Sequence, residues 1–392
     1  MNQGKTVFSQ IISRIQPEQF HRCVARYGGD SRARSFSCWD QFLAMAFAQL
    51  TYRESLRDIE TCLCSRGGQL YHLGFRARVS RSTLAEANET RDWRIYADLG
   101  HRLIAKARAL YADEDLGLDL DETVYALDST IIDLCLNLFP WARLHHRKGA
   151  IKLHTLLDLR GSIPTFIEIT EGRVQDVNIL DRLPIEPGAY YVMDRGYLDF
   201  RRLYRLKQAG GHFIIRAKRR LHFIRHLSRP LDKELGVRSD QIGRVASKAT
   251  SRHYPEKLRR IRFHDLETAR LFTFLTDQFN LPALTVCELY RRRWHVELFF
   301  KWIKQHLRIR TFYGTSANAV KTQVWIAVCA FVLVAILKKE LKIPQSLHGM
   351  LQVLSVNVFE KVPILQLLTA HPNNIQPNSD YMSFNQLKMF DL

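Results

Sequence analysis

Apolar residues recur at helical spacing early in the chain, in Phe42-Leu43-Ala44-Met45-Ala46-Phe47 and again over 99–110, and strand-like alternation is absent there. Residues 1 to about 110 therefore predict helices. Within them 54–62 is a short amphipathic segment, and Ser80-Arg81-Ser82-Thr83-Leu84 places hydroxyl residues where a new helix would be capped. Two helices joined by a turn at Gly67-Gly68 match a helix-turn-helix only loosely. Both DNA recognition and a plain helical bundle stay open on that pattern.

From Thr123 the texture changes to short runs of β-branched and aromatic residues broken by Gly, Pro and Asp. Strands are predicted at 124–128, 151–159 and 164–170. A helix near 177–183, a strand at 190–194, a helix at 200–209 and a strand at His212–Arg216 follow. Three antiparallel strands, helix, strand, helix, strand is the order of a ribonuclease-H-like core, so the expected fold class is α/β: a mixed sheet with helices on both faces. Arg259-Arg260-Ile261-Arg262-Phe263 and Leu271-Phe272-Thr273-Phe274-Leu275-Thr276 read as strands of a small inserted sheet, followed by one long helix over 284–307. The apolar run at 324–337 falls short of the roughly 20 residues of a spanning helix and reads as a buried one, with no membrane partner expected. The domain reading is 1–115 helical N-terminal DNA-binding domain, 116–218 with 284–370 catalytic core, 219–283 basic β-rich insertion, and 371–392 tail.

Charge narrows the class. The chain of 392 residues carries 58 Lys and Arg against 39 Asp and Glu, for +19, which favours a polyanionic partner, nucleic acid before membrane. Residues 216–262 hold fifteen basic and four acidic residues, more than half of that surplus, and a one-signed run this dense suits phosphates better than a solvated face. Residues 1–110 add +7. Seven cysteines in no regular framework, and an N-terminus without a long apolar core, predict reduced thiols in a cytoplasmic protein, and a nucleic-acid partner would make it nucleoid-associated. Cys62 and Cys64 lack the second pair or nearby His that a zinc site needs.

Candidate chemistry lies in three carboxylates. Asp128 and Asp194 each end a predicted apolar strand, where either alone would pass for a turn residue. On strands one and four of a ribonuclease-H-like sheet they become neighbours, and hard oxygen ligands suit Mg2+ or Mn2+. The third, Glu297, lies in the helix. At about 100° per residue, Tyr290, Arg293, Glu297, Lys301, Lys304 and Arg308 fall within roughly 80° of one another. Val296, Phe300, Ile303 and Leu307 form the adjoining docking stripe. A solvated salt-bridge face is the plain alternative, and a metal with phosphates would account for both signs of charge. Asp176 reads as a helix cap rather than a fourth ligand. Arg147, Lys148 and Lys152, and more strongly Lys218, Arg219 and Arg220, are candidate phosphate contacts, and Trp294 either packs or stacks on a base.

The spacing from Tyr290 through Arg293 and Glu297 to Lys304 resembles the Y-R-E-K signature of the IS-four family of DDE transposases. Asp194-Arg195-Gly196-Tyr197 looks like that family's second-aspartate motif and Asp128-Ser129-Thr130 like its first, and the similarity in texture runs from about residue 20 to 370. The resemblance implies an insertion-sequence transposase that binds terminal inverted repeats, with Asp128, Asp194 and Glu297 as catalytic residues holding two Mg2+ or Mn2+ ions. It implies strand cleavage followed by 3′-hydroxyl strand transfer on double-stranded DNA, by a homodimer in the synaptic complex. Tyr290, Arg293 and Lys304 would then contact phosphates near the transposon end, with Arg293 offering bidentate geometry. A ribonuclease-H-like nuclease without strand transfer would use the same triad, and a non-catalytic DNA-binding remnant is the other alternative.

Overall fold

The computed structural model describes residues 4–31, 33–76, 78–145, 148–218, 221–231, 235–306 and 312–369. The expected contacts Arg147, Arg219, Arg220 and Arg308, the stripe residue Leu307 and the tail 371–392 lie outside them. Among the described residues six helices come first: α1 (Val7–Ile12), α2 (Pro17–Arg26), α3 (Cys38–Leu50), α4 (Leu56–Cys64), α5 (Arg81–Thr90) and α6 (Arg94–Tyr111). Ser37 starts α3 with a capping box, its hydroxyl accepting from the Asp40 amide while Asp40 accepts from the Ser37 amide. Ser55 and Ser80 cap α4 and α5. Between those two helices the Gly67-Gly68 segment is not a simple turn, because Gly67–Leu73 winds into a 3-10 helix.

Ten strands follow among the described residues, β1 (Val124–Leu134), β2 (Arg143–His145), β3 (Lys148–Asp158), β4 (Ile163–Glu171), β5 (Tyr190–Met193), β6 (His212–Arg216), β7 (Phe223–Ser228), β8 (Val237–Val245), β9 (Leu258–Asp265) and β10 (Arg270–Thr276). They form one mixed sheet in the order β2-β3-β1-β5-β6-β10-β9-β8-β7, with β4 also paired to β3. β1 runs antiparallel to β3 and parallel to β5, which is parallel to β6. α7 (Phe200–Gln208) lies on one face with Tyr125, Leu127, Tyr191, Met193, Phe213 and Ile215. The alternate residues Val124, Ala126, Val192 and Ile214 face the other way, toward α9 (Ala283–Arg292) and α10 (Trp294–His306). The short α8 (Lys248–His253) links β8 to β9, and α12 (Leu347–Asn357) and α13 (Ile364–Thr369) complete the described chain.

α11 (Ala317–Glu340) is apolar on all sides and 24 residues long, longer than the apolar run alone suggests. Its length and composition would suffice to cross a membrane, yet 94% of its apolar window is buried inside the protein. It packs against α6, α3 and α5, and one hydrophobic core runs from α1 through α11 to the near face of the sheet. Gly100 of α6 makes the close approach possible: a Cβ there would stand 2.9 Å from the Trp325 ring.

Four sequence expectations are corrected. β1 continues six residues past Asp128, which therefore lies mid-strand, although its pairing with β5 stops at Leu127↔Met193. The segment near 177–183 is a 3-10 helix over Asp176–Asp181. The helix expected over 284–307 is two helices broken at Arg293. The basic insertion is no separate sheet: β10 pairs antiparallel with β6 through Leu275↔Ile215, so β7 to β10 extend the core sheet and cover what would otherwise be an open edge.

Replacing Gly100 by Leu should drive the side chain into Trp325 and cost about 1–3 kcal/mol. Urea melts would show it as a lower midpoint with an unchanged slope, and an unshifted midpoint would contradict the packing.

Candidate active site

Asp128 and Asp194 come together because their strands are parallel neighbours. Val124 to Leu127 pair in register with Tyr190 to Met193, so the next residue on each strand is an aspartate leaving the same end of the pairing. Asp128 alternates with Ala126 onto the face covered by α10. There the break in the long helix matters. Arg293 caps the C-terminal end of α9, where a cation is favoured, and Glu297 stands in the first turn of α10, where an anion is favoured.

The Arg293 guanidinium joins the two sides. Its Nη1 donates to Asp128 Oδ2 and its Nη2 to Glu297 Oε1 at 2.5 Å. The Ser129 amide donates to Asp128 Oδ1 at 2.8 Å, and the Tyr290 hydroxyl donates to Asp194 Oδ1 at 2.9 Å. Tyr290 is buried against Phe274, with ring centroids 4.6 Å apart, and Arg293 lies over its ring at 5.6 Å. Burial pushes the Asp128 carboxyl up to about 6, against the pull of Arg293. Burial likewise raises the Tyr290 hydroxyl, so it stays a hydrogen-bond donor.

Arg293 and Tyr290 thus bond the two aspartates, and Glu297 meets Arg293 rather than either aspartate. Lys301 is exposed and Lys304 partly so, while Val296, Phe300 and Ile303 of the docking stripe are buried. Trp294 is half-buried, and Lys148 and Lys218 are exposed at strand ends. Lys152 is buried instead: its Nζ donates to Asp176 Oδ1 at 3.0 Å and to the Val174 carbonyl at 2.9 Å. Asp176 is no helix cap, because the 3-10 helix it begins has no side-chain cap and its carboxylate is committed to Lys152 and to the Ser129 hydroxyl. His154, fully buried beside this pair, hydrogen-bonds Thr170 at 2.9 Å. The only sequence signal for this cluster is polar residues inside an apolar strand, Lys152 and His154 alternating in β3.

Among the described residues no three His, Cys, Asp or Glu side chains already converge as a ready metal cluster. The donor chemistry nevertheless fits a hard divalent cation. Asp128 and Glu297 share one half-buried guanidinium, whose positive charge balances them where an ion would, and Asp194 is held nearby by the Tyr290 hydroxyl.

Replacing Arg293 by Met would leave Asp128 facing Glu297 uncompensated, at a cost of about 3 kcal/mol at pH 8. The loss should shrink toward pH 5, where Asp128 takes up a proton. Urea midpoints at the two pH values test this, and an equal loss at both would contradict it. His154 behaves in the opposite sense. Burial pushes its imidazole down to about 4, so the stability it allows above pH 6.5 is lost as pH falls toward 4. Relative to His154→Gln, the wild-type chain should lose about 2 kcal/mol more between pH 7.5 and pH 5. Parallel pH profiles for the two proteins would disprove this.

Comparisons with known proteins bear on the family. The family described as a transposase DDE domain matches residues 119–333, which contain all three carboxylates. A domain of unknown function matches 3–76. A Sinorhizobium fredii protein named as a transposase is 34% identical over 54% of this chain and 59% of its own. A Geobacillus stearothermophilus protein named as a transposase for an insertion sequence element is 32% identical over 53% and 54%. A similarly named Synechocystis protein is 25% identical over 66% and 72%. The chain thus spans little more than half the length of the first two relatives. With more than half of its length matched and the acidic residues gathered at one end of the sheet, the chain belongs to the DDE transposase family.

Proposed function

We propose that this chain is an insertion-sequence transposase of the IS-four type that binds terminal inverted repeats, cleaves DNA at the element's ends and joins the freed 3′-hydroxyl to target DNA. The observation that carries the reading is that Arg293 bonds both Asp128 and Glu297 while Tyr290, one helical turn before it, bonds Asp194. The strand order β4-β3-β1-β5-β6 supports a ribonuclease-H-like core. The N-terminal helices, the core, the basic extension and the tail are assigned as the four parts expected from the sequence.

Asp128, Asp194 and Glu297 would hold two Mg2+ or Mn2+ ions, which when bound activate the attacking oxygen and stabilise the leaving one. The chain's own residues prepare that chemistry. Arg293, released from the carboxylates, presents two parallel donors to a phosphate. Tyr290 holds Asp194 by its hydroxyl and is itself fixed by Phe274. Outside the site, Arg260 lies over the Phe223 ring at 4.5 Å, and burial with the neighbouring Arg262 and Arg225 lowers its hold on its proton. Arginines crowded in this way favour an anionic partner, and with Lys148, Lys218, Lys301 and Lys304 they supply a phosphate-binding surface for double-stranded DNA. Holding two ends at once calls for a homodimer on DNA.

Strand-cleavage and strand-transfer assays on end-sequence DNA with Mg2+ test the reading. Asp128→Asn, Asp194→Asn and Glu297→Gln should each lose at least about a hundredfold in rate, with DNA binding retained. Wild-type rates in any of them would show the site to be wrong. Hydrolysis of pre-cleaved ends without joining would reduce the reading to a nuclease.

A further inference from the structure

β1 loses its partner on one side just where the chemistry begins. Its pairing with β5 ends at Leu127↔Met193, and from Asp128 onward β3 is the one strand among the described residues that pairs with it. Asp128 faces α10, so Ser129 points through the opposite face of the sheet, next to His154 of β3 in register. Behind the sheet, Asp176 receives Ser129 Oγ at 2.8 Å and Lys152 Nζ at 3.0 Å on the same oxygen, Oδ1. Lys152 is tied in turn to the Val174 carbonyl at 2.9 Å, which fixes the segment leading into Asp176. The fully buried His154 ring places Nδ1 3.9 Å from the same oxygen, and the Tyr197 hydroxyl is buried alongside.

These contacts have one mechanical effect. Ser129 is held at its hydroxyl from behind, while its amide donates to Asp128 Oδ1 in front. A residue anchored at both ends cannot turn its amide away, so the carboxylate it orients is held as well. Lys152 is buried while Asp176 keeps about a third of its side chain exposed, and burying an ammonium for one such ion pair is costly for stability alone. Placed at the point where strand pairing fails, it replaces the missing neighbour.

The geometry points to Asp176, with Lys152 as its counter-ion, as a positioning residue that sets the Asp128 carboxylate for metal binding through Ser129. Asp176 itself touches neither metal nor DNA. The inference rests on the proposed reading that Asp128 holds the metal. Outer-shell partners of this kind are worth about 10–100-fold in metal affinity.

The test is Mn2+ binding to the full chain, followed by the loss of the free-ion paramagnetic resonance signal, with thermal melts confirming the fold. Ser129→Ala is the mild variant, since it leaves the Lys152–Asp176 pair intact. It should weaken Mn2+ binding about tenfold, as should Asp176→Asn. The double variant should be no weaker than the worse single one, because both cut the same link. Ser129→Thr, which keeps the hydroxyl, should bind as the wild type does, and excess Mn2+ should restore the cleavage rate of Ser129→Ala without any change in affinity for end DNA. Asp128→Asn is the reference. If it binds Mn2+ normally, the proposed metal site fails and the inference with it. If it loses binding while Ser129→Ala and Asp176→Asn bind as the wild type, the inference alone is overturned. Additive effects, or Asp176→Asn abolishing binding while Ser129→Ala leaves it intact, would also overturn it, the latter by making Asp176 a ligand.

Discussion

Like charge gathered in a half-buried place is the constraint around which this molecule is arranged. Two carboxylates a few ångströms apart repel by about 4 kcal/mol at an effective dielectric of 20, and burial adds to the cost of ionising each. Burial first, with Glu297 and Asp194 adding to it, holds the Asp128 carboxyl up to about 6 even with a guanidinium against it. Arg293 makes the cluster tenable, one nitrogen on Asp128 and one on Glu297. The interruption between α9 and α10 follows from the same need. It puts the cation at one helix's negative end and the anion at the next one's positive end, so backbone dipoles add to the side-chain pairing.

The rest of the fold gives this cluster a stiff floor. Parallel pairing of β1 with β5 sets Asp128 and Asp194 side by side, and the register leaves little freedom because a one-residue slip would turn every side chain to the wrong face. α10 is pressed onto that sheet by Val296, Phe300 and Ile303, and its Phe299 and Trp302 rings meet Phe331 of the buried α11. The N-terminal helices close round the other sides of α11. A helix that is apolar all round has no stable place in water, so the surrounding helices and the sheet are committed to it together.

What could be read in the sequence divides along physical lines. β6 was legible to the residue, because three buried apolar positions with a half-buried residue at each end stand between clear turn signals. Glu297 was legible by counting, since helical periodicity survives a one-residue break. β7 and β8 were not: Phe223-Ile224-Arg225-His226-Leu227-Ser228 is an edge strand with most of its side chains exposed, so neither alternation nor an apolar run marks it. The break at Arg293 was hidden because its cause lies in tertiary pairing with Asp128, 165 residues away in sequence. Asp176 was misread as a cap for a similar reason. A carboxylate opening a helix looks the same in sequence whether it serves its own backbone or a lysine on a distant strand.

The basic extension has a closer part in the site than its position as an insertion suggests. β10 belongs to it, and Phe272 and Phe274 of β10 stack on each other at 5.9 Å, with Phe274 against the Tyr290 ring. Tyr290 in turn holds Asp194. On the outer side, Arg216 at the end of β6 lies 5.0 Å over Phe272. The wall behind the second aspartate is therefore built from the extension, and a cation at the sheet's end rests on the same wall. Because β10 is hydrogen-bonded to β6 within one sheet, the arginine-bearing strands cannot swing freely relative to the carboxylates. A phosphate backbone bound along β8 and β9 would meet a surface whose distance from Asp128 and Asp194 is set by strand pairing rather than by a linker, which is what placing one particular phosphodiester at the carboxylates requires.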